Sequence, residues 1–214
     1  METEQEELEA LQKWWKENGR AVVIGLVLGL GGVFGWTTWQ NHVETSAEQL
    51  SVAYQNMVDT AARNQHAEAV QKAEVIIIEH PGSEYAALAG LLGAKSALAA
   101  GQPGEAKRML DTVIEDSDRT ELRDIARMRK ARVLLDEGAG DAGLAILEQV
   151  RTTAFAASVD ELRGDILMGG GNAEAAAKAY DAALASLSLA PAMRARLQMK
   201  RDDLGYQKGD GVTQ

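Results

Sequence analysis

Acid–base and metal chemistry in this chain would have to begin from three histidines, His42, His66 and His80. His42 stands beside a long apolar stretch, His66 in a turn signal and His80 directly before Pro81. His66 and His80 flank one expected helix and do not form the i, i+4 ligand pair of an H-E-x-x-H motif; no G-x-S-x-G elbow occurs either. Cysteine is absent, which removes thiolate nucleophiles, thiolate metal sites and disulfides together. The glycine-rich GGGN at 169–172 lacks the Lys-Ser/Thr of a phosphate loop and any preceding strand, so it reads as a turn between helices. Carboxylates are abundant, but none is singled out as a catalytic pair. The inventory assigns no catalytic, cofactor-binding or metal residue, and no small-molecule substrate; it argues against an enzyme.

The chemistry that remains is ionic. Arg119, Arg123, Arg127 and Lys130 fall within about 80° of one face of a helix turning 100° per residue. They stand out because residues 44–118 carry 5 basic and 12 acidic groups, net −7. Such a stripe could hold a carboxylate-bearing segment of a partner through bidentate contacts. The alternative is a solvated face balanced by Glu121, Asp124 and acids on the neighbouring helix. Arg129 and Arg132 point to the apolar side and are expected to snorkel or pair internally.

The element that positions everything else is Ala21–Trp39, AVVIGLVLGLGGVFGWTTW, nineteen residues without a charge. As a helix it is about 28 Å long, close to the ~30 Å hydrocarbon thickness of a bilayer. Trp14 and Trp15 precede it and Trp36 and Trp39 end it, where amphipathic rings favour the membrane–water boundary. The bulky end of the run offers no small-x-small cleavage site, which favours an uncleaved signal anchor at 21–40. Lys13, Lys16 and Arg20 precede the span and no Lys or Arg follows until Arg63, so residues 1–20 form a short cytoplasmic tail. Gly25, Gly29, Gly31, Gly32 and Gly35 fall within about 160° of one face, where another helix could approach closely.

From Glu44 onward 19 basic and 26 acidic residues give −7, which disfavours nucleic acid as a partner. Alanine and leucine dominate, and turn signals recur at 64–66, 80–83, 101–104, 115–118, 137–141 and 169–172. Val75-Ile76-Ile77-Ile78 is the nearest thing to a strand, but it ends a helix-like segment. Ala69/Ala73/Ile76, Ala106/Leu110/Val113, Gly143/Leu147/Val150 and Ala176/Tyr180/Ala183 share one i, i+4, i+7 pattern, with first members 37, 37 and 33 residues apart. This predicts four helix pairs near 46–80, 84–115, 119–151 and 154–186, and a capping helix near 190–206. Pairs of this kind stack into a solenoid, with each pair burying its neighbour's apolar face. The expected fold is all-α: a single N-terminal transmembrane helix followed by a tetratricopeptide-like helical-repeat solenoid over 44–207, with a flexible tail at 208–214.

The sequence resembles the ancillary SecYEG translocon subunit family of tetratricopeptide-like membrane proteins. The most specific stretch is WWKENGRAVVIGLVLGLGGVFGWTTW at 14–39; LSVAYQNMV at 50–58, YAALAGLLGAK at 85–95, ARVLL at 131–135, ELRGDILMGGGNAEAAAKAY at 161–180 and LQMKRDDL at 197–204 extend it along the chain. The resemblance implies a bacterial inner-membrane protein with its repeat domain in the periplasm. It further implies association with Sec translocon subunits and with a membrane-anchored periplasmic chaperone of the prolyl-isomerase-like type, in the service of protein export. A structural assembly factor for another inner-membrane envelope complex is the competing expectation.

Overall fold

Helix formers fill the chain between its turns, and every regular element among the described residues is helical. The computed structural model describes the backbone of residues 2–186 and 189–205, and the side chains of these except 2–12, 21, 22, 31, 34, 35 and 37–47. The elements are α1 (Glu2–Ala62), α2 (His66–Glu79), α3 (Glu84–Ala99), α4 (Pro103–Asp116), α5 (Thr120–Asp136), α6 (Gly140–Leu147), a 3₁₀ turn (Thr153–Phe155), α7 (Ala156–Gly169), α8 (Ala173–Leu184) and α9 (Pro191–Asp202). Val75–Ile78 is helical, inside α2. The expected tail at 208–214 lies outside the described residues.

The chain divides into two compact units, 1–51 and 52–214. The first is helical from Glu2 onward. Its side chains Val23, Ile24, Leu26, Val27, Leu28, Leu30 and Val33 are 49–70% exposed, and Trp14, Trp15 and Trp36 are exposed as well. Among the described residues no helix is long and apolar enough to cross a membrane. The stretch 21–39 includes residues 21, 22, 31, 34, 35 and 37–39, whose side chains lie outside the description.

The second unit is a tetratricopeptide-like solenoid. Residues 52–62 of α1 meet α2 through the Lys72–Thr60 bond at 2.7 Å, and α3 with α4, α5 with α6, and α7 with α8 complete four helix pairs, with α9 packed on α8. The repeat pattern supplies the core. Ala69, Ala73, Ile76, Ala106, Leu110, Val113, Leu147, Ala176, Tyr180 and Ala183 are all buried, as is Gly143. Small residues bring the helices together: a Cβ on Gly93 would stand 2.7 Å from the Ala73 Cβ and 2.6 Å from the Met109 sulfur.

Each pair turns on the same device. Gly101 has φ 73°, and its N–H bonds the Leu98 carbonyl at 3.0 Å while Gln102 N–H reaches the Ala97 carbonyl at 2.8 Å, the αL-terminated hydrogen-bond pattern of a helix C-terminus. Gly138 and Gly171 repeat it, and Asn64 does so with φ 60° as the one side-chain-bearing member. Ser83 and Asn172 then cap α3 and α8 by accepting from Ala86 N–H and Ala175 N–H, both at 3.1 Å.

The third pair departs from expectation. The spacing predicts a second helix reaching 151, but α6 stops at Leu147 after 8 residues. Val150 therefore packs on the core from a loop and not from a helix. The reason is the buried carboxylate of Asp124.

Candidate functional site

Helix α5 carries the basic stripe, and its packing decides what each cation can do. Arg119, at the N-terminal boundary of α5, is exposed and pairs with Glu84 of α3 at 3.2 Å and with Glu121 at 3.6 Å. Arg123 donates to the Thr120 hydroxyl at 3.0 Å. Arg127 donates to Asp124 Oδ1 at 2.7 Å. Lys130 is ion-paired with Asp111 of α4. Arg127 is thus held to its own helix and Lys130 to the neighbouring one, and of the four only Arg119 is exposed. The balancing acids are Glu121 and Asp124 on α5, with Glu84 and Asp111 on the neighbouring helices.

Asp124 is fully buried. Its Oδ2 accepts the backbone N–H groups of Arg151 at 2.9 Å and Thr152 at 2.8 Å, and the Thr152 hydroxyl at 2.7 Å. Burial pushes its pKa upward, but these bonds and the one from Arg127 outweigh that and hold the carboxyl below its ordinary value. The loop after Leu147 bends to bring two amides to this carboxylate, which a helix continuing to 151 could not do.

The opposite side of α5 opens into two grooves. One, of about 390 Å³, lies between α3 and α5 over Ala94, Leu98, Leu110 and Val133, with Lys95, Arg129 and Arg132 at its walls and Asp136 at its end. The other, of about 260 Å³, lies between α5 and α7 and shares Arg129 and Arg132; Ile125, Met128 and Leu162 form its apolar part and Arg196 of α9 its far wall. Arg129 donates to the Leu91 carbonyl of α3 at 2.8 Å, and burial lowers its pKa. That bond is the internal pairing expected, although the residue as a whole stays exposed. Arg132 has no such bond: it is exposed, as is Lys95, and neither forms a hydrogen bond or ion pair with another described residue.

At the last pair a polar cluster ties α9 down. Glu161 of α7, 5% exposed, accepts two bonds from Arg196 at 2.9 and 2.8 Å and one from Lys200 at 2.8 Å. Burial raises its pKa, and the two cations outweigh this and hold it low. Lys200 also reaches Asp165 at 2.7 Å, and Asp165 accepts from the Tyr180 hydroxyl at 2.9 Å. Burial first, and then the Asp165 carboxylate, raise the Tyr180 pKa. Below the ring Gly164 leaves room: a Cβ there would lie 2.6 Å from Tyr180 Cδ1. Sequence spacing had no means of pairing Glu161 with residues 35 and 39 positions away.

Gly25, Gly29 and Gly32 meet nothing within 4 Å, so that face of the first unit is open. Gly31 and Gly35 lie outside the residues whose surroundings are described. Among the described residues no three His, Asp or Glu side chains converge as metal ligands.

Comparison with known proteins fits this architecture. The tetratricopeptide repeat-like domain family matches residues 12–206. A Podosopora anserina kinesin-light-chain protein of nearly identical TPR-like repeats superposes with a TM-score of 0.57 at 16% identity, over 73% of this chain and 85% of that one. A single-residue variant of that protein superposes with a TM-score of 0.58 at 18% identity, over 73% and 84%; both show the same fold. The Escherichia coli protein named ancillary SecYEG translocon subunit is 32% identical over 203 residues, 95% of this chain and 97% of its own. The Haemophilus influenzae protein of that name is 29% identical over 92% of this chain and 96% of its own. The chain therefore belongs to the ancillary SecYEG translocon subunit family, built on a tetratricopeptide repeat-like domain.

Proposed function

We propose that this protein is a non-enzymatic, membrane-anchored scaffold that works beside the Sec translocon. Residues 1–20 are its cytoplasmic tail, 21–40 its single transmembrane anchor and 44–207 a periplasmic repeat domain. The observation that carries the reading is the exposed apolar surface of the first unit. Val23, Ile24, Leu26, Val27, Leu28, Leu30 and Val33 cover about 220° of the helix circumference, far more than a stripe that packs on one neighbour. In water that surface would be costly; in a bilayer it is the favourable solvent contact. The relatives' name supplies the partner, and the family resemblance adds a membrane-anchored periplasmic chaperone of the prolyl-isomerase-like type. Assistance to exported proteins as they emerge follows from holding the two together.

The open glycine face of the anchor is the element that would meet translocon helices, because close backbone approach is the main source of affinity in lipid. The test has two arms in one strain. A reporter fused after Gln214 should be active only in its periplasm-specific form, and cytoplasmic activity would overturn the orientation. Copurification in mild detergent should recover translocon subunits and the chaperone, and G25L/G29L/G32L should lower that recovery about tenfold while still inserting. Undiminished recovery would remove the glycine face from recognition.

A further inference from the structure

In the stripe Arg119, Arg127 and Lys130 are ion-paired and Arg123 is held by a hydroxyl, whereas the groove keeps two exposed cations that bond to no other described residue. We infer that the groove between α3 and α5, continued between α5 and α7, docks an extended acidic segment of a partner protein, with an apolar side chain between its carboxylates. Lys95 and Arg132 are exposed and bond to no other described residue, and Arg129 commits a single donor to Leu91. Three cations against Asp136 leave the α3–α5 groove positive in a domain that is otherwise acidic. That contrast repels acidic neighbours elsewhere and concentrates them here. Arg129 and Arg132 also offer planar donor forks suited to carboxylates.

The floor selects against a simple polyanion. Leu98, 44% exposed, presents apolar surface beside the cations, above the buried Ala94, Leu110 and Val133. A phosphate backbone would leave that surface uncovered. A peptide with an acidic, an apolar and an acidic residue at i, i+2 and i+4 covers it, because alternate side chains of an extended chain share one side. Neighbouring helix axes lie about 10 Å apart. A ligand crossing from α3 to α7 therefore spans about 20 Å, or about six extended residues. At the α7 end Arg196 is already neutralised by Glu161, so the carboxylates of the ligand should sit at the Lys95–Arg129–Arg132 end. This recognition uses only the second unit and does not depend on the membrane anchor.

The probe is a fluorescein-labelled peptide of about eight residues built on Glu-Ser-Leu-Ser-Glu, titrated with the full chain in detergent and read by anisotropy. The same peptide with Gln in place of each Glu measures what detergent and apolar contact contribute. Saturable binding is expected for the acidic peptide, at least tenfold tighter than for the Gln form and weakened by salt. K95E/R132E should weaken it at least tenfold with helix content unchanged by circular dichroism, while R151E, a single charge reversal on the loop after α6, leaves it unaltered. Equal binding of both peptides, no saturable binding, or the same loss in R151E would overturn the inference. So would phosphatidylglycerol vesicles binding the chain through Lys95 and Arg132 in preference to the peptide, since the groove would then face anionic lipid.

Discussion

Replacing Asp124 by alanine should be among the most damaging single changes in the repeat domain. The carboxylate is fully buried and accepts four hydrogen bonds, from Arg127, Arg151 N–H, Thr152 N–H and the Thr152 hydroxyl. Its removal strands two backbone donors, a hydroxyl and a guanidinium in a packed corner. A hydrogen bond to a charged group is worth about 1.5–3 kcal/mol, and breaking a buried ion pair from one side costs about 3–5 kcal/mol. Part of the loss is recovered by water reaching the loop, so a net cost of about 3–4 kcal/mol is expected. For a domain of this size that is a fall in Tm of about 10 °C. Asp124→Asn should cost about half as much, since an amide oxygen can still serve the loop while its N–H₂ opposes Arg127. Adding R127A to D124A should recover some stability by removing the stranded cation. Urea denaturation followed at 222 nm on the full chain in detergent measures the parent, these three variants and R127A alone. A D124A cost below about 1 kcal/mol, or a double variant at the additive sum, would refute the view that this carboxylate organises the loop.

Gly164→Ala should lower stability by about 1–3 kcal/mol, because the new methyl meets the Tyr180 ring and α7 must back away from α8; an unchanged melting curve would show that the ring moves freely. Stability should also depend on acid in a defined direction. Asp124 and Glu161 both titrate below their ordinary values of 3.8 and 4.5, so their contributions are complete above those values and are lost as pH falls through the lower, folded ones. Glu161→Gln should flatten that acid limb and cost about 1–2 kcal/mol at neutral pH; denaturation midpoints between pH 3 and 7 that are parallel for variant and parent would contradict it.

The repeat architecture was legible because it rests on short-range regularities. Ala106, Leu110 and Val113 sit one above another on α4 by helical spacing alone, and the spacing holds whether or not the partner helix is known. The turns were legible for the same reason, down to Asn64 standing where the later copies use glycine. What escaped were pairings set by tertiary contact. Asp124 reads in sequence as one more surface acid beside the arginines, yet it faces a loop 27 residues away. Helical position alone pairs Arg132 inward like Arg129, but the two are three positions apart and only Arg129 finds a carbonyl of α3 within reach. The sign of the groove depends on such differences, and no pattern along one helix contains them.

The cluster that fastens α9 also sets how long this array can be. A bare helix pair would offer α7 and α8 to any following pair with apolar residues to match. Here that terminal surface holds Glu161, nearly buried, and Asp165 beside it, and α9 answers with Arg196 and Lys200 around a buried Leu197. Splicing a further pair after Leu184 would leave two acids facing an apolar neighbour unless the newcomer brought cations to the same places. Array length is thus specified by a charge code at its last surface. Anyone lengthening, shortening or grafting this solenoid must carry residues 161–165 and 196–200 together as one cassette.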